Sequence, residues 1–468
     1  MEMKHISISL LLVFFTIAFT SCSKKEYIDC IPVESTAVIS LDVAKLMSNS
    51  SEKRLPFLDK IIGKESGDRT GIDAGEKIYL FENNDGLLGL CASVQSADKI
   101  TELIKDKLLP DGTCTAIMKK DGVSITTVYQ NWLFAYDDDA LIIAGPFVEQ
   151  EKAQLQRRVM RWFKADEDAT IRNSKLYETL ETMSAPISMV SRSHALPETL
   201  TSMFSLGMPS SVDPSQIIVA AEMTPSDDEI ISVDISTFSY NEKLNRQMEK
   251  SKANFRPVKA SLINKIYLSD MSVMMNVKGE NLLNMLRQRK EFQSMLAGIN
   301  TAIDIDNILR SFDGEVIMTT KETSDATDFT LYAETVSIKW LADVDYWKRS
   351  CPSGTSITTI GNNVFDYQFD RNNSSGRHFF FGLTDANRFL GTTDVECKAL
   401  FTTDKGSDSI ADNSKYLNIL SARNDRRMVL VYHLDSAVEK LETPLKEVLS
   451  DVIASFFGNA RTVVATIS

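Results

Sequence analysis

Histidine is scarce in this chain, with four among 468 residues. His5 stands at the very start, and His194, His378 and His433 are widely separated. No HExxH, no HxH and no Cys/His cluster occurs, so an imidazole-based zinc or iron site is not written here. There is also no GxxxxGK[ST] loop, no GxGxxG after a strand, no GxSxG elbow and no SxxK with its companion motifs. Nucleotide binding and nucleophilic catalysis therefore lack a signature, and no cofactor or metal is expected. A basic stripe is missing too. Acids outnumber Lys and Arg by 64 to 51 and are spread over the whole chain, which argues against nucleic-acid binding. The six cysteines are Cys22, Cys30, Cys91, Cys114, Cys351 and Cys397. Their irregular spacing makes neither a disulfide framework nor a zinc motif. Cys91 and Cys114 fall in strand-like stretches and could bridge in an oxidising compartment, but buried small hydrophobes are the simpler reading.

Only the first 22 residues carry a long apolar run. Lys4 and His5 precede Ile6 to Phe19, followed by Thr20, Ser21 and Cys22. The run is too short for a comfortable membrane span, and a positive start with small residues before the end marks a secretory signal peptide. A cysteine at the cleavage point resembles the lipobox of bacterial lipoproteins, although Phe19 stands where most carry Leu. The expected outcome is cleavage after Ser21 and lipidation of Cys22. The only site residue that the sequence proposes is this one, Cys22, and no catalytic residue is assigned. Residues 22–30 are expected to form a tether.

The remaining length suits two or three domains. The chain also repeats itself. Ala37–Val43 resembles Ser272–Val277, and Thr70-Gly71-Ile72-Asp73 resembles Thr301-Ala302-Ile303-Asp304. Gly112-Thr113 matches Gly354-Thr355, and Trp132–Asp139 matches Phe379–Ala386. Leu141–Ala144 matches Arg388–Gly391, Asn173-Ser174-Lys175 recurs as Asn413-Ser414-Lys415, and His194 recurs as His433. All matches run in one order, so the pattern predicts a tandem duplication, with repeats at 31–255 and 256–468.

Each repeat reads as an α+β unit. A strand near 37–43 is followed by a hairpin, 77–82 and 87–94, turned by Asn83-Asn84-Asp85-Gly86. Ser96 caps a helix over 97–108, whose stripe is Ile100, Leu103, Ile104 and Leu108. Strands near 113–118, 123–129, 131–136 and 140–144 come next. Helices near 147–163 and 174–183, a strand near 187–192, a short helix after Pro197, a closing strand pair at 216–223 and 229–238, and a helix near 241–253 complete the unit. In the second repeat Leu282–Ile299 and Val438–Phe456 carry helical stripes. Sequential strands interspersed with helices predict a mostly antiparallel sheet with helices packed on one face. Arg461–Ser468 matches the first strand of the closing pair, and nothing follows to match the second, so this last strand is expected to have an open edge unless another segment covers it.

Candidate chemistry is thin. Asp137-Asp138-Asp139 and Asp227-Asp228-Glu229 read as solvated turns. Asp304-Ile305-Asp306-Asn307 starts like a calcium loop but has Ile308 and Leu309 where a ligand and glycine are needed. His194 and His433 could be matched site residues, but packing or a helix-flanking hydrogen bond is favoured. Trp132, Phe134 and Tyr136 share one strand face, as do Phe379 and Phe381. Sugar stacking is one use for such faces, and core packing is the commoner one. Trp340 and Trp347 also read as packing.

Ile31–Asp42, the Thr70–Asp73 element and the lipoprotein-like start resemble a Bacteroidetes lipoprotein family known only as domain of unknown function 4836. The resemblance implies a place in a Gram-negative envelope and supplies no activity. Surface-export signals of lipoproteins of this kind are acidic after the cysteine. Lys24 and Lys25 here favour the outer membrane with a periplasmic orientation. The expected function is a non-catalytic binding or scaffolding lipoprotein, held to the membrane by its N-terminal lipid, with an envelope protein or glycan partner. The alternative is an envelope hydrolase acting on glycans or peptides through unidentified acids.

Overall fold

The protein was analysed as a computed structural model. The structure describes residues 26–48, 70–196, 212–225, 230–259, 269–287, 302–323, 327–369, 377–401, 425–434 and 461–468. Cys22, the helix after Pro197, Asp227–Glu229, most of the second part of the Leu282–Ile299 stripe, Asn413–Lys415 and the Val438–Phe456 stripe lie outside them.

Among the described residues twenty strands form one sheet. The first run comprises β1 (Ser35–Leu41), β2 (Ile78–Asn83), β3 (Leu88–Ser93), β4 (Met118–Lys120), β5 (Val123–Val128), β6 (Trp132–Tyr136), β7 (Ala140–Gly145), β8 (Ile187–Arg192) and β9 (Ile218–Pro225). Their order in the sheet is β4-β5-β6-β7-β3-β2-β1-β8-β9, antiparallel throughout. Then come β10 (Ile230–Phe238) and the short β11 (Phe255–Arg256). The second run comprises β12 (Met271–Lys278), β13 (Phe312–Glu322), β14 (Thr327–Thr335), β15 (Ser356–Gly361), β16 (Val364–Phe369), β17 (Arg377–Leu383), β18 (Phe389–Thr392), β19 (Met428–His433) and β20 (Thr462–Ile467). Their order is β15-β16-β17-β18-β14-β13-β12-β19-β20. Position for position it is the order of the first run.

Local chemistry sets the turns and caps. Asp121 and Gly122 both have positive φ, the turn that a two-residue hairpin needs to match strand twist. Gly89 faces Phe81, whose ring lies over it, and a Cβ there would stand 2.1 Å from that ring. Ser96 caps α2 (Ala97–Leu103), its hydroxyl accepting from the Lys99 N–H. The helix expected to run on to 108 changes to a π-turn over Ile104–Leu108, with the Leu109 N–H donating to the Ile104 carbonyl at 2.8 Å. The other helices are α1 (Val43–Ser48), α3 (Lys152–Trp162), α4 (Lys175–Glu181), α5 (Glu242–Lys252), α6 (Gly279–Leu286), α7 (Ile305–Arg310) and α8 (Val344–Ser350).

One expectation is corrected, and the condition attached to a second is met. The helices cover both faces of the sheet, not one. On β7, Leu141 points to a core with Ile100 of α2 and Ile104 of the π-turn after it, while Ile142 and Ala144 point to another with Leu155 and Val159 of α3. Neighbouring strand residues face opposite ways, so α2 and α3 sandwich the strand. β20 has no open edge either. β10 lies beside it in parallel, Ile231 opposite Val463, while its other edge joins β19. β10 thus continues the first run through β9 and closes the second. Asp234 of β10 ties the seam by accepting from the Thr466 hydroxyl and the Arg426 guanidinium.

The Cys91–Cys114 bridge is also ruled out. Cys91 is buried in the α3-side core and Cys114 in the α2-side core, with the sheet between their thiols.

Candidate functional site

Cys22 and Asp227–Glu229 lie outside the described residues; the other candidates that the sequence singled out are used structurally. The Asp137 carboxylate accepts the N–H groups of Asp139 and Ala140 within the β6–β7 turn. Asp304 is the N-cap of α7, accepting from Asn307 at 3.0 Å, and Asp306 pairs with Arg287. Tyr136 is 1% exposed, with its hydroxyl 2.6 Å from that of Thr101. Phe379 and Phe381 are buried, and so are Trp340 and Trp347, which stack at 6.4 Å. These aromatics are core. His194 sits in a short turn after β8, and His433 ends β19 with Nδ1 3.3 Å from the Thr462 hydroxyl. They occupy equivalent places but are not brought together as one site.

Among the described residues an open apolar space lies over the second run. Met318 and Thr320 of β13 stand beside Leu331 and Phe329 of β14, in register and on one face. All four are half-buried. Ile305, Ile308 and Leu309 of α7 and Leu286 of α6 form one wall, and Phe379 and Phe389 form another. Phe329 stacks on Phe379 at 5.7 Å, which holds that corner rigid. The cavity volume is about 60 Å³, small beside the roughly 300–1,000 Å³ of pockets that enclose a drug-sized molecule, so the space can receive a small nonpolar group rather than engulf a whole ligand. Besides these apolar groups only Thr319, Thr320 and Thr330 border it, and the Thr330 hydroxyl is engaged with that of Thr392 at 2.7 Å. Among the described residues no lining side chain titrates. The pocket can desolvate a nonpolar group but offers no side chain to move a proton. Sequence reading missed it because its walls come from six separate elements between Leu286 and Phe389.

One Asp–His pair also went unnoticed. His378 Nδ1 lies 2.9 Å from an Asp366 carboxylate oxygen across β16 and β17, with its ring stacked on Phe380. Asp366 orients the imidazole, a common supporting contact. Among the described residues no nucleophile is bonded to Nε2.

Comparison with known proteins places the chain in a family. A profile described as domain of unknown function (DUF4836) matches residues 42–420. The chain belongs to this family. No curated protein matches it. Among solved structures, crystal form IV of TP0453 is 11% identical with a TM-score of 0.27, covering 42% of this DUF4836 chain and 75% of that chain. Crystal form I of TP0453 is 9% identical with a TM-score of 0.26, covering 81% and 97%. Overlap at this level does not establish a shared fold.

Proposed function

We propose that this DUF4836 protein is a lipid-anchored envelope protein that binds an apolar molecule in the α7 pocket rather than catalysing a reaction. The observation that carries the binding reading is the pocket's lining, which among the described residues is nonpolar side chains and threonines with no ionisable group. Anchoring through Cys22 and a periplasmic orientation at the outer membrane are supported by the signal-like start and by Lys24 and Lys25. Descent of residues 31–255 and 256–468 from one duplicated α+β unit is supported by collinear sequence matches and by the identical strand order of the two runs.

The test is titration with the uncharged fluorophore Nile red. Wild type should give saturable enhancement, and Leu331→Trp, which fills the pocket from its half-exposed floor, should remove most of it while keeping the circular dichroism spectrum. Equal enhancement in both proteins would overturn the binding reading.

A further inference from the structure

The N-terminal end of the described chain is docked from its first residues. Tyr27–Cys30 is a 3-10 turn, although the sequence placed it in a tether, and Ile28, Cys30 and Ile31 enter the core beside Cys91 and Leu155. Asp29 is 4% exposed. It accepts two bonds from the Arg172 guanidinium, at 2.7 and 2.8 Å, and one from the Glu26 N–H at 2.9 Å. The Tyr27 hydroxyl donates to the Lys77 carbonyl, and the Cys91 thiol donates to the Tyr27 carbonyl. Backbone bonds continue the attachment. The Ile171 N–H donates to the Ile31 carbonyl, and the Val33 N–H donates to the Ala169 carbonyl. The chain thus has no slack to give from Glu26 onward.

Cys22 is four residues before Glu26. Even fully extended, four residue steps span only about 14 Å. From this reach we infer that the surface of the first run around Glu26, Arg172 and Asn173 is the membrane-facing surface of the anchored protein, with a phospholipid headgroup layer as its partner. The inference rests on the proposed lipidation of Cys22. A lipoprotein with a long tether would tumble freely above its membrane, whereas this one is held at one end with a fixed side toward the lipid. α2 packs on the opposite face of the sheet from the Tyr27–Cys30 turn, so its outer surface points away from the bilayer.

The experiment uses the mature full-length protein, purified with its lipid and reconstituted into phosphatidylethanolamine/phosphatidylglycerol vesicles carrying a rhodamine headgroup label. Donor dyes are placed at Asn173→Cys, at Glu102→Cys on α2 and at Thr359→Cys on β15, all exposed positions. The half-buried Cys351 and Cys397 are replaced by serine. Transfer to the headgroup dye should be at least about double from position 173 than from the other two, as the short reach requires. Inserting a sixteen-residue Gly-Ser linker between Lys25 and Glu26 should level the three. Equal transfer from all three sites with the native linker overturns the orientation while leaving the anchor intact. A mature N-terminal peptide without a lipid adduct, with no vesicle binding, overturns the anchor and the orientation with it.

Discussion

Asp29→Ala should detach the N-terminal turn from the sheet. The substitution removes two charge-assisted hydrogen bonds from Arg172 and the capping bond to the Glu26 N–H. Each hydrogen bond to a charged partner contributes about 1.5–3 kcal/mol. The full sum does not apply, because the Arg172 side chain is 28% exposed and keeps Glu26 as a second partner at 3.3 Å. Solvent screening and that partner reduce the net loss to about 2–3 kcal/mol. Such a loss raises the opening of residues 27–33 by roughly 30- to 150-fold, at about 1.4 kcal/mol per decade. Amide hydrogen exchange is the assay. Protection at Ile171 and Val33, whose N–H groups bond across the docked segment, should fall by that factor. Protection in β13 and β14 should not change. Asp29→Asn, which keeps the shape and one acceptor, should recover part of the loss. Protection at Ile171 and Val33 within about threefold of wild type would refute the reasoning.

Further outcomes follow from other sites. Cys22→Ala should move the protein from the membrane pellet to the soluble fraction, and an unchanged pellet would contradict the anchor. Protease added to intact cells should spare the protein until lysis if it faces the periplasm. The Arg158 guanidinium, bonded to Asp85 at 2.6 and 3.0 Å, holds the Asp85 carboxyl below its usual value. A depressed carboxyl stabilises the fold above its unfolded value of about 3.9 and loses that contribution as pH falls through the folded value. An Arg158→Met variant should therefore have a lower urea midpoint than wild type at pH 7 and converge on it as pH falls through the depressed folded value, with a small gap because Asp85 is about half exposed. Gly89→Ala should cost about 1–3 kcal/mol, because Phe81 must leave its place over the strand, and Phe81→Leu in the same chain should relieve part of it.

Local signals in the sequence were readable where they depend on neighbours. The Asn83–Gly86 turn, the Ser96 cap, the helix near 174–183 and the strands at 187–192 and 230–238 all stand close to where residue chemistry put them. Coverage of both faces was harder to see, because most strands alternate enough to resemble half-wet ones. β7 is the exception, since Ala140–Gly145 is apolar throughout, the mark of a strand buried on both sides. Long-range partners were not legible at all. Tyr-Ile-Asp-Cys looks like polar linker until Arg172 arrives beside Asp29. The parallel seam between β10 and β20 joins residues more than two hundred positions apart. The pocket shares that origin, six elements converging on one space that no motif announces.

Native mass spectrometry of the full-length protein, released gently from its own membrane, tests the central claim most directly. The account predicts a lipid adduct on Cys22 and, in addition, a noncovalent apolar ligand that Leu331→Trp removes. A protein that carries no ligand, or that keeps the same one when Leu331 is replaced, would contradict it.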